Sequence, residues 1–364
     1  MLKDVRRILD TLFDLAGDPR LYRVKSPMNY VGGKHGLLSQ IIPRMPRDIE
    51  TFYDAFCGGL NVGANIPSKR LIANDTQREV VGALSWMRES NPKETAAQID
   101  SIVEANKLGR QPRNGITTND NSNRTTPDIE SNIISLFASK EESEPDPPES
   151  DDSPPESESE KPTNAFDAAY RDLRARYNNA RAMGLENLDG ADMRAVLYAL
   201  VVHGYNSNVR FGPNGYNIPY GDRTFNESTR RNLEEFCARL RSLEAQIVTG
   251  DYEETVRECK PGPNDYVYMD PPYLITLAPY NTSWNDADEC RLLQFADSLH
   301  ADGIPFGISN VTRHAGRTNE TLIAWSAKYN VVPIEKRYDS ASYNLKDGRR
   351  DDTTEEILVT NIYK

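Results

Sequence analysis

Asp270-Pro271-Pro272-Tyr273 follows the apolar, β-rich run Tyr266-Val267-Tyr268-Met269 and ends it. A strand that stops in an acid and two prolines places a carboxylate at a carboxyl edge, where open α/β sheets bind their ligands. The second proline has no N–H to donate, and the residue before each proline is held extended. A rigid turn is expected, presenting one carboxylate, backbone carbonyls and one aromatic face. Such a set suits an exocyclic amine on a flat base: two acceptors for its hydrogens and a ring to stack on. Four residues alone also read as a plain strand-to-turn stop. The other motifs of the chain decide between the two.

Working outward, strands are read at residues 51–57 and 70–74, with the glycine-rich loop and Gly-Ala-Asn-Ile segment between them as a βαβ start. Residues 77–107 look helical. Residues 166–183 are amphipathic, and 193–205 read as a mostly apolar, buried helix. Paired turn signals between β-formers in Arg-Phe-Gly-Pro-Asn-Gly-Tyr-Asn-Ile-Pro-Tyr-Gly, residues 210–221, predict a hairpin. A helix from about 226 to 244 leads into a strand at 246–250. Beyond the Asp-Pro-Pro-Tyr turn come a helix at 286–303, a strand at 305–310, a helix at 318–329, and closing strands around 331–338 and 355–363. Strand and helix alternate on both sides of an interrupting middle, which predicts one α/β domain carrying an inserted, mainly helical domain with a β-hairpin. The expected boundaries are 1–78 with 245–364 for the first domain and 79–244 for the second.

The chain has 364 residues and a formal charge of −12, which looks wrong for a nucleic-acid partner until it is located. Residues 141–160 hold ten acids and no base, so the rest of the chain carries only −2. A basic face therefore remains open to it, with candidates at Arg223 to Arg231, Arg171 to Arg181 and Arg337 to Arg350, although charge runs are more often solvated helix faces. From about 110 to 163, Asn, Ser, Thr, Pro and acids dominate and aromatics nearly vanish, which predicts a disordered insertion. Within it, Ile133-Ile134-Ser135-Leu136-Phe137 reads as a transient helix or a docking motif. Four cysteines and four histidines are scattered without zinc-ligand spacing, so neither a disulfide framework nor a metal site is expected. Residues 1–17 read as an amphipathic helix, without the unbroken apolar core of a signal peptide. No later segment looks long and apolar enough to span a bilayer, and a cytoplasmic, reducing compartment is expected.

Three further motifs carry chemistry. Asn29-Tyr30-Val31-Gly32-Gly33-Lys34 invites a phosphate-loop reading, but Met28 fills the required earlier glycine position and His35 follows the lysine where Ser or Thr is needed. A tight turn delivering one lysine and one aromatic remains. Asp54-Ala55-Phe56-Cys57-Gly58-Gly59 is a strand running into a glycine turn, where a ligand can approach the backbone. Asn74-Asp75 ends the next strand, a place where an acid suits ribose hydroxyls, though a helix cap is the bland alternative.

In this order the motifs resemble the Dam-like, D12-class family of DNA adenine-N6 methyltransferases. That family runs aromatic-x-Gly-Gly-Lys, Phe-x-Gly-x-Gly, Asp-x-Asn, an inserted target-recognition domain, then Asp-Pro-Pro-Tyr. Residues 204–221 resemble its recognition hairpin, and Glu-Glu-Ile-Leu-Val-Thr-Asn-Ile-Tyr near residue 355 resembles its closing strand. The resemblance covers residues 26–364 apart from the acidic insertion. It implies a Rossmann-like sheet, S-adenosyl-L-methionine as methyl donor, and a flipped adenine in double-stranded DNA as substrate. It implies Tyr30, Lys34, Phe56, Gly58, Asp75, Asp251 and Asp270 around the cofactor. Asp270, Pro271 and Tyr273 would serve the target base, and Tyr205, Asn206, Arg210 and Pro219 would meet DNA. A monomer with a possible cognate restriction endonuclease fits such a family. Leu60 stands where many members have a third glycine, which implies a tighter cofactor loop. Ser207 and Asn208 replace Gly-Leu in the hairpin, so a GATC target does not follow. Cytosine-N4 methylation poses the same amine problem, and a DNA-binding relative without catalysis is the reading from a different class.

Overall fold

The computed structural model describes residues 23–30, 32–109, 164–221, 223–276, 284–335 and 354–362. The expected helix at 1–17, the whole of the expected insertion at 110–163 with its run from Ile133 to Phe137, and the Arg337 to Arg350 cluster lie outside these residues. Strand β1 (Ile49–Asp54) leads through a loop with one 3₁₀ turn, Gly63–Asn65, into β2 (Ser68–Asp75). That connection corrects the expected βαβ start. Asn65 is drawn into local bonds, its side chain donating to the carbonyls of Val24 and Asn61, and the short stretch closes without a full helix.

The predicted helix at 77–107 is two helices, α1 (Arg78–Glu89) and α2 (Pro92–Ala105), broken where Asn91 caps α2 and Pro92 fills its first turn. After the insertion come α3 (Ala165–Ala182), the small hairpin β3–β4 (Asn187–Leu188, Ala191–Asp192) and the buried helix α4 (Met193–His203). The second hairpin follows as predicted, with β5 (Phe211–Gly212) paired to β6 (Gly215–Tyr216). Helix α5 (Glu227–Ser242) then delivers the chain to β7 (Ala245–Thr249). In α5 the buried residues Leu233, Phe236, Cys237 and Leu240 recur at helical spacing on one stripe.

The remaining elements are α6 (Tyr252–Glu258), β8 (Tyr266–Met269), α7 (Asp286–Ala301), β9 (Phe306–His314), β10 (Arg317–Thr318), α8 (Glu320–Ser326), β11 (Asn330–Ile334) and β12 (Glu355–Thr360). The main sheet runs β11-β12-β9-β8-β1-β2-β7, with β10 hairpinned on β9. The strands from β7 to β9 are mutually parallel, and β12 and β11 complete the other side antiparallel. Every residue of β8 is buried, as expected of a parallel strand covered on both faces.

Alternate side chains divide between two hydrophobic clusters, one on each face of the sheet. Phe52, Leu71, Tyr266 and Tyr268 join the cluster that holds α1 to α5, while Tyr53, Ile72, Val267 and Met269 join α6 to α8. Helices α1 to α5 thus share one continuous core with a face of the sheet. The order of strands sets the site. From β1 the chain moves outward to β2 and β7, then returns to β8 on the other side of β1. This reversal opens a crevice at the carboxyl ends of β1 and β8, the usual ligand position in such sheets.

Candidate active site

Asp270 lies just past the carboxyl end of β8, at the edge of this crevice. One of its oxygens, Oδ2, is 2.9 Å from the Lys34 ammonium, and the other, Oδ1, accepts the Tyr273 hydroxyl at 3.0 Å. Lys34 is itself buried and donates to the Gly32 carbonyl at 2.7 Å. Its ammonium also sits 5.1 Å from the centre of the Tyr273 ring. The motifs around Lys34 and Asp270, 236 residues apart in sequence, thus meet at one carboxylate. Burial pushes the Asp270 carboxyl up to about 6 despite the lysine beside it. Burial and the neighbouring Asp270 and Glu356 carboxylates raise the Tyr273 phenol well above its ordinary range, so its hydroxyl is a donor.

Glu356, at the start of β12, is a member of this cluster that the sequence reading did not single out. Its Oε1 accepts the Tyr273 hydroxyl at 3.2 Å and lies 3.7 Å from the Lys34 ammonium. The ladder between β12 and β9 slips here: Glu355 pairs with Arg313, but Glu356 pairs with Val311. Such a bulge re-aims side chains, and this one sends Glu356 inward while Glu355 stays exposed. The two consecutive glutamates gave no hint of which would turn in.

The glycine turn after β1 packs directly on Tyr30. A Cβ added at Gly58, whose φ is +46°, would lie 2.8 Å from the Tyr30 ring, so only glycine fits. At Gly59 a Cβ would meet the Met28 carbonyl at 3.0 Å. Leu60 adopts φ 63° with its side chain fully buried, so the loop accepts left-handed backbone there without a glycine and anchors itself in the core. The Gly58 N–H donates to Asp75 Oδ2 at 2.9 Å, and the Gln77 N–H donates to Oδ1 at 2.8 Å. Burial raises the Asp75 carboxyl, and these amides oppose the shift. Asp75 is thereby fixed at the carboxyl end of β2, as expected, and it also serves the turn after it. Asp54, buried at the end of β1, accepts the Gly63 N–H at 2.9 Å, and burial pushes its carboxyl up to about 7.

Asp251 caps α6 through the Glu253 and Glu254 N–H groups and forms a two-bonded pair with Arg291, which holds its carboxyl below the usual range. Its neighbour Tyr252 packs against Phe56, with ring centres 4.8 Å apart, and Trp284 meets Phe56 edge-on at 5.9 Å. Trp284 is oriented by the fully buried Glu289, which accepts its indole N–H at 2.9 Å while also accepting from Asn310 and Asn319. This aromatic wall, made by a tryptophan just before α7, was also missed. A glycine cradle closed by Tyr30, a fixed carboxylate at β2 and a half-exposed aromatic after β1 fit a flat, ribose-bearing ligand.

The hairpin residues gather at a second edge. The Tyr205 N–H donates to the Pro219 carbonyl at 2.8 Å, and Asn206 takes a left-handed conformation at φ 53°. Arg210 reaches across the hairpin to Asn217, with Nε donating to Oδ1 at 2.8 Å. Asn29, next to Tyr30, donates to the Asn206 carbonyl at 2.9 Å, so the hairpin edge is tied to the Lys34 loop. A surface cleft of about 320 Å³ lined by Pro67, Lys69 and Arg239 lies at the opposite, amino ends of β2 and β7 and holds none of these residues.

The model of the D12 class N6 adenine-specific DNA methyltransferases matches residues 30–340, which include every motif placed above except Glu356 and Asn29. The chain belongs to that family. It is 31% identical over 347 residues to the type II methyltransferase M.FokI of Planomicrobium okeanokoites, and 30% identical over 349 residues to the modification methylase StsI of Streptococcus sanguinis. Each alignment takes in 93% of this chain but 43% of the relative, so this D12-class chain spans less than half the length of those two proteins. Against the type II methyltransferase M1.LlaDCHI of Lactococcus lactis subsp. cremoris the identity is 23%, covering 91% of this chain and 93% of the relative. Among the described residues, no helix is long and apolar enough to cross a membrane.

Proposed function

We propose that this D12-class chain transfers a methyl group to the N6 amine of an adenine flipped out of double-stranded DNA, with S-adenosyl-L-methionine as donor. The observation that carries the reading is the Asp270 carboxylate, held at the reversal of strand order between Lys34 and Tyr273. Extrusion of the base costs a few kcal/mol, and stacking on an aromatic such as Tyr273 returns roughly 1–3 kcal/mol. The amine's lone pair is delocalised into the ring and is a poor nucleophile. Asp270 and the Pro271 carbonyl each accept one N–H, which draws the nitrogen towards tetrahedral geometry and frees the lone pair. Fixed acceptors at a nitrogen where positive charge develops are electrostatic preorganisation. Proton loss follows transfer.

Tyr30, Phe56, Gly58, Asp75 and Asp251 would hold the cofactor, with Lys34 and Asp270 on its reactive side. Once bound, it supplies an electrophilic methyl on a sulfonium. The helical insertion at 79–244 is the target-recognition part, with Tyr205, Asn206, Arg210 and Pro219 towards DNA. The relatives' names support a restriction–modification setting, and a monomer acting in the cytoplasm suffices for the chemistry.

Tritiated methyl transfer to unmethylated genomic DNA, followed by long-read mapping of modified bases, tests the assignment. Asp270→Ala is expected to lower transfer by roughly 10²–10³-fold while leaving cofactor binding measurable. Near-normal methylation by that variant would sink the role of Asp270. Modified cytosines in place of adenines would move the substrate to the N4 amine.

A further inference from the structure

Both Asp270 oxygens are engaged: Oδ2 by the Lys34 ammonium and Oδ1 by the Tyr273 hydroxyl. An amine that is to donate to this carboxylate competes with one of them. The lysine is the harder to displace, because its ammonium is buried and charged. The hydroxyl is the easier, and it already stands between two carboxylates, 3.0 Å from Asp270 Oδ1 and 3.2 Å from Glu356 Oε1. We infer that Glu356 is a positioning residue: it takes over the Tyr273 hydroxyl when the target base arrives, releasing Asp270 Oδ1 to the amine. The inference rests on Asp270 being the amine acceptor.

The chemistry of the cluster supports the exchange. Tyr273 carries one hydroxyl hydrogen, so it donates fully to one acceptor at a time. Transfer of that hydrogen bond from one carboxylate to the other conserves the number of charge-assisted bonds, so base entry leaves no buried donor stranded. The same exchange fixes the ring: with its hydroxyl on Glu356, Tyr273 keeps an anchored edge. Glu356 is well placed for this because the bulge at Glu355 turns it inward, with only 10% of its side chain exposed.

The experiment is a double-mutant cycle on single-turnover methylation of unmethylated genomic DNA, with affinity for the same DNA and melting temperature measured in parallel. In Glu356→Gln a neutral amide competes poorly with Asp270 for the hydroxyl. Its rate is expected to fall roughly tenfold or more, the worth of one charge-assisted hydrogen bond, with DNA affinity unchanged. Tyr273→Phe keeps the stacking ring and removes the hydroxyl that Asp270 and Glu356 share, so its own rate, whatever its fall, is the reference for the second arm of the cycle. In the Tyr273→Phe background, Glu356→Gln should cost little. A full loss in both backgrounds would overturn the proposal, since Glu356 would then act without the hydroxyl. If Glu356→Gln does not fold, Glu356→Ala in the same two backgrounds decides the matter by the same comparison. If Asp270→Ala retains turnover, the underlying reading fails. If Asp270→Ala is inactive and Glu356→Gln is normal, only the role of Glu356 fails.

Discussion

Two carboxylates at neighbouring strand ends carry opposite obligations. As the proposed acceptor of an amine hydrogen, Asp270 works as a carboxylate, and its raised value of about 6 means that this form dominates only above that pH. Turnover is therefore expected to fall on the acid side, approaching tenfold per pH unit below about 6, as a rate–pH profile would show. A profile flat down to pH 5 would contradict Asp270 as the acceptor. Asp54 has no such duty: its oxygen holds the Gly63 N–H, which an amide oxygen can also do. Its carboxyl is raised to about 7, so the folded state binds a proton that the unfolded chain has lost. Stability should then decline as pH rises from about 4 to about 7 and stay reduced above it. Asp54→Asn removes this term, so its melting temperature should exceed that of the parent at pH 8 and converge with it only at about pH 4. Convergence in the opposite direction would refute the assignment.

At the scale of elements, the hairpin β5–β6 and the closing strand β12 differ in how far they could be read in advance. The hairpin was legible because Gly and Pro at fixed offsets leave few alternatives to a turn, and β5–β6 form where the turn signals stood. The strands at both motif ends were legible for the same reason, being apolar runs stopped by Gly or Pro. Glu356 was not legible, because its inward direction depends on a one-residue slip against β9 that only the paired strand reveals. The break at Asn91-Pro92 was readable and was missed, as a proline in the first turn after an Asn cap marks a new helix. Arg210 illustrates a residue whose place was legible and whose use is still open to measurement. Its guanidinium lies across the hairpin on Asn217, which limits its swing and favours a directed contact. A bidentate arginine–guanine contact is worth roughly 1–3 kcal/mol of discrimination. Arg210→Ala is thus expected to relax preference at a single position of the target site. Uniform weakening across single-base site variants, with a salt slope lower by about one, would mean a phosphate contact instead.

For the whole molecule, the question is how a chain with so acidic a segment would hold the proposed DNA substrate. Ten acids fall within residues 141–160, and the remainder is nearly neutral. The structure shows where this segment departs and returns. A Cβ built on Gly109 would lie 2.6 Å from the Phe166 ring, and the Gly109 carbonyl accepts the Tyr220 hydroxyl at 2.7 Å. The two ends of the insertion therefore meet on one patch, between α2 and α3 and beside the hairpin's closing residues. Loop length between joined ends costs little, each doubling adding about 0.6 kcal/mol, so excision and closure by a short Gly-Ser linker should leave the fold unstrained. The composition of the segment cannot bury a core, and its charge repels phosphate. Deleting residues 112–163 is expected to keep the melting temperature within a few degrees and turnover intact. Affinity for DNA should be equal or higher, most visibly at low salt, where the repulsion is least screened. A folded deletion variant that binds DNA normally but no longer transfers methyl groups would give the segment a part in catalysis, and one that binds more weakly would give it a part in recognition.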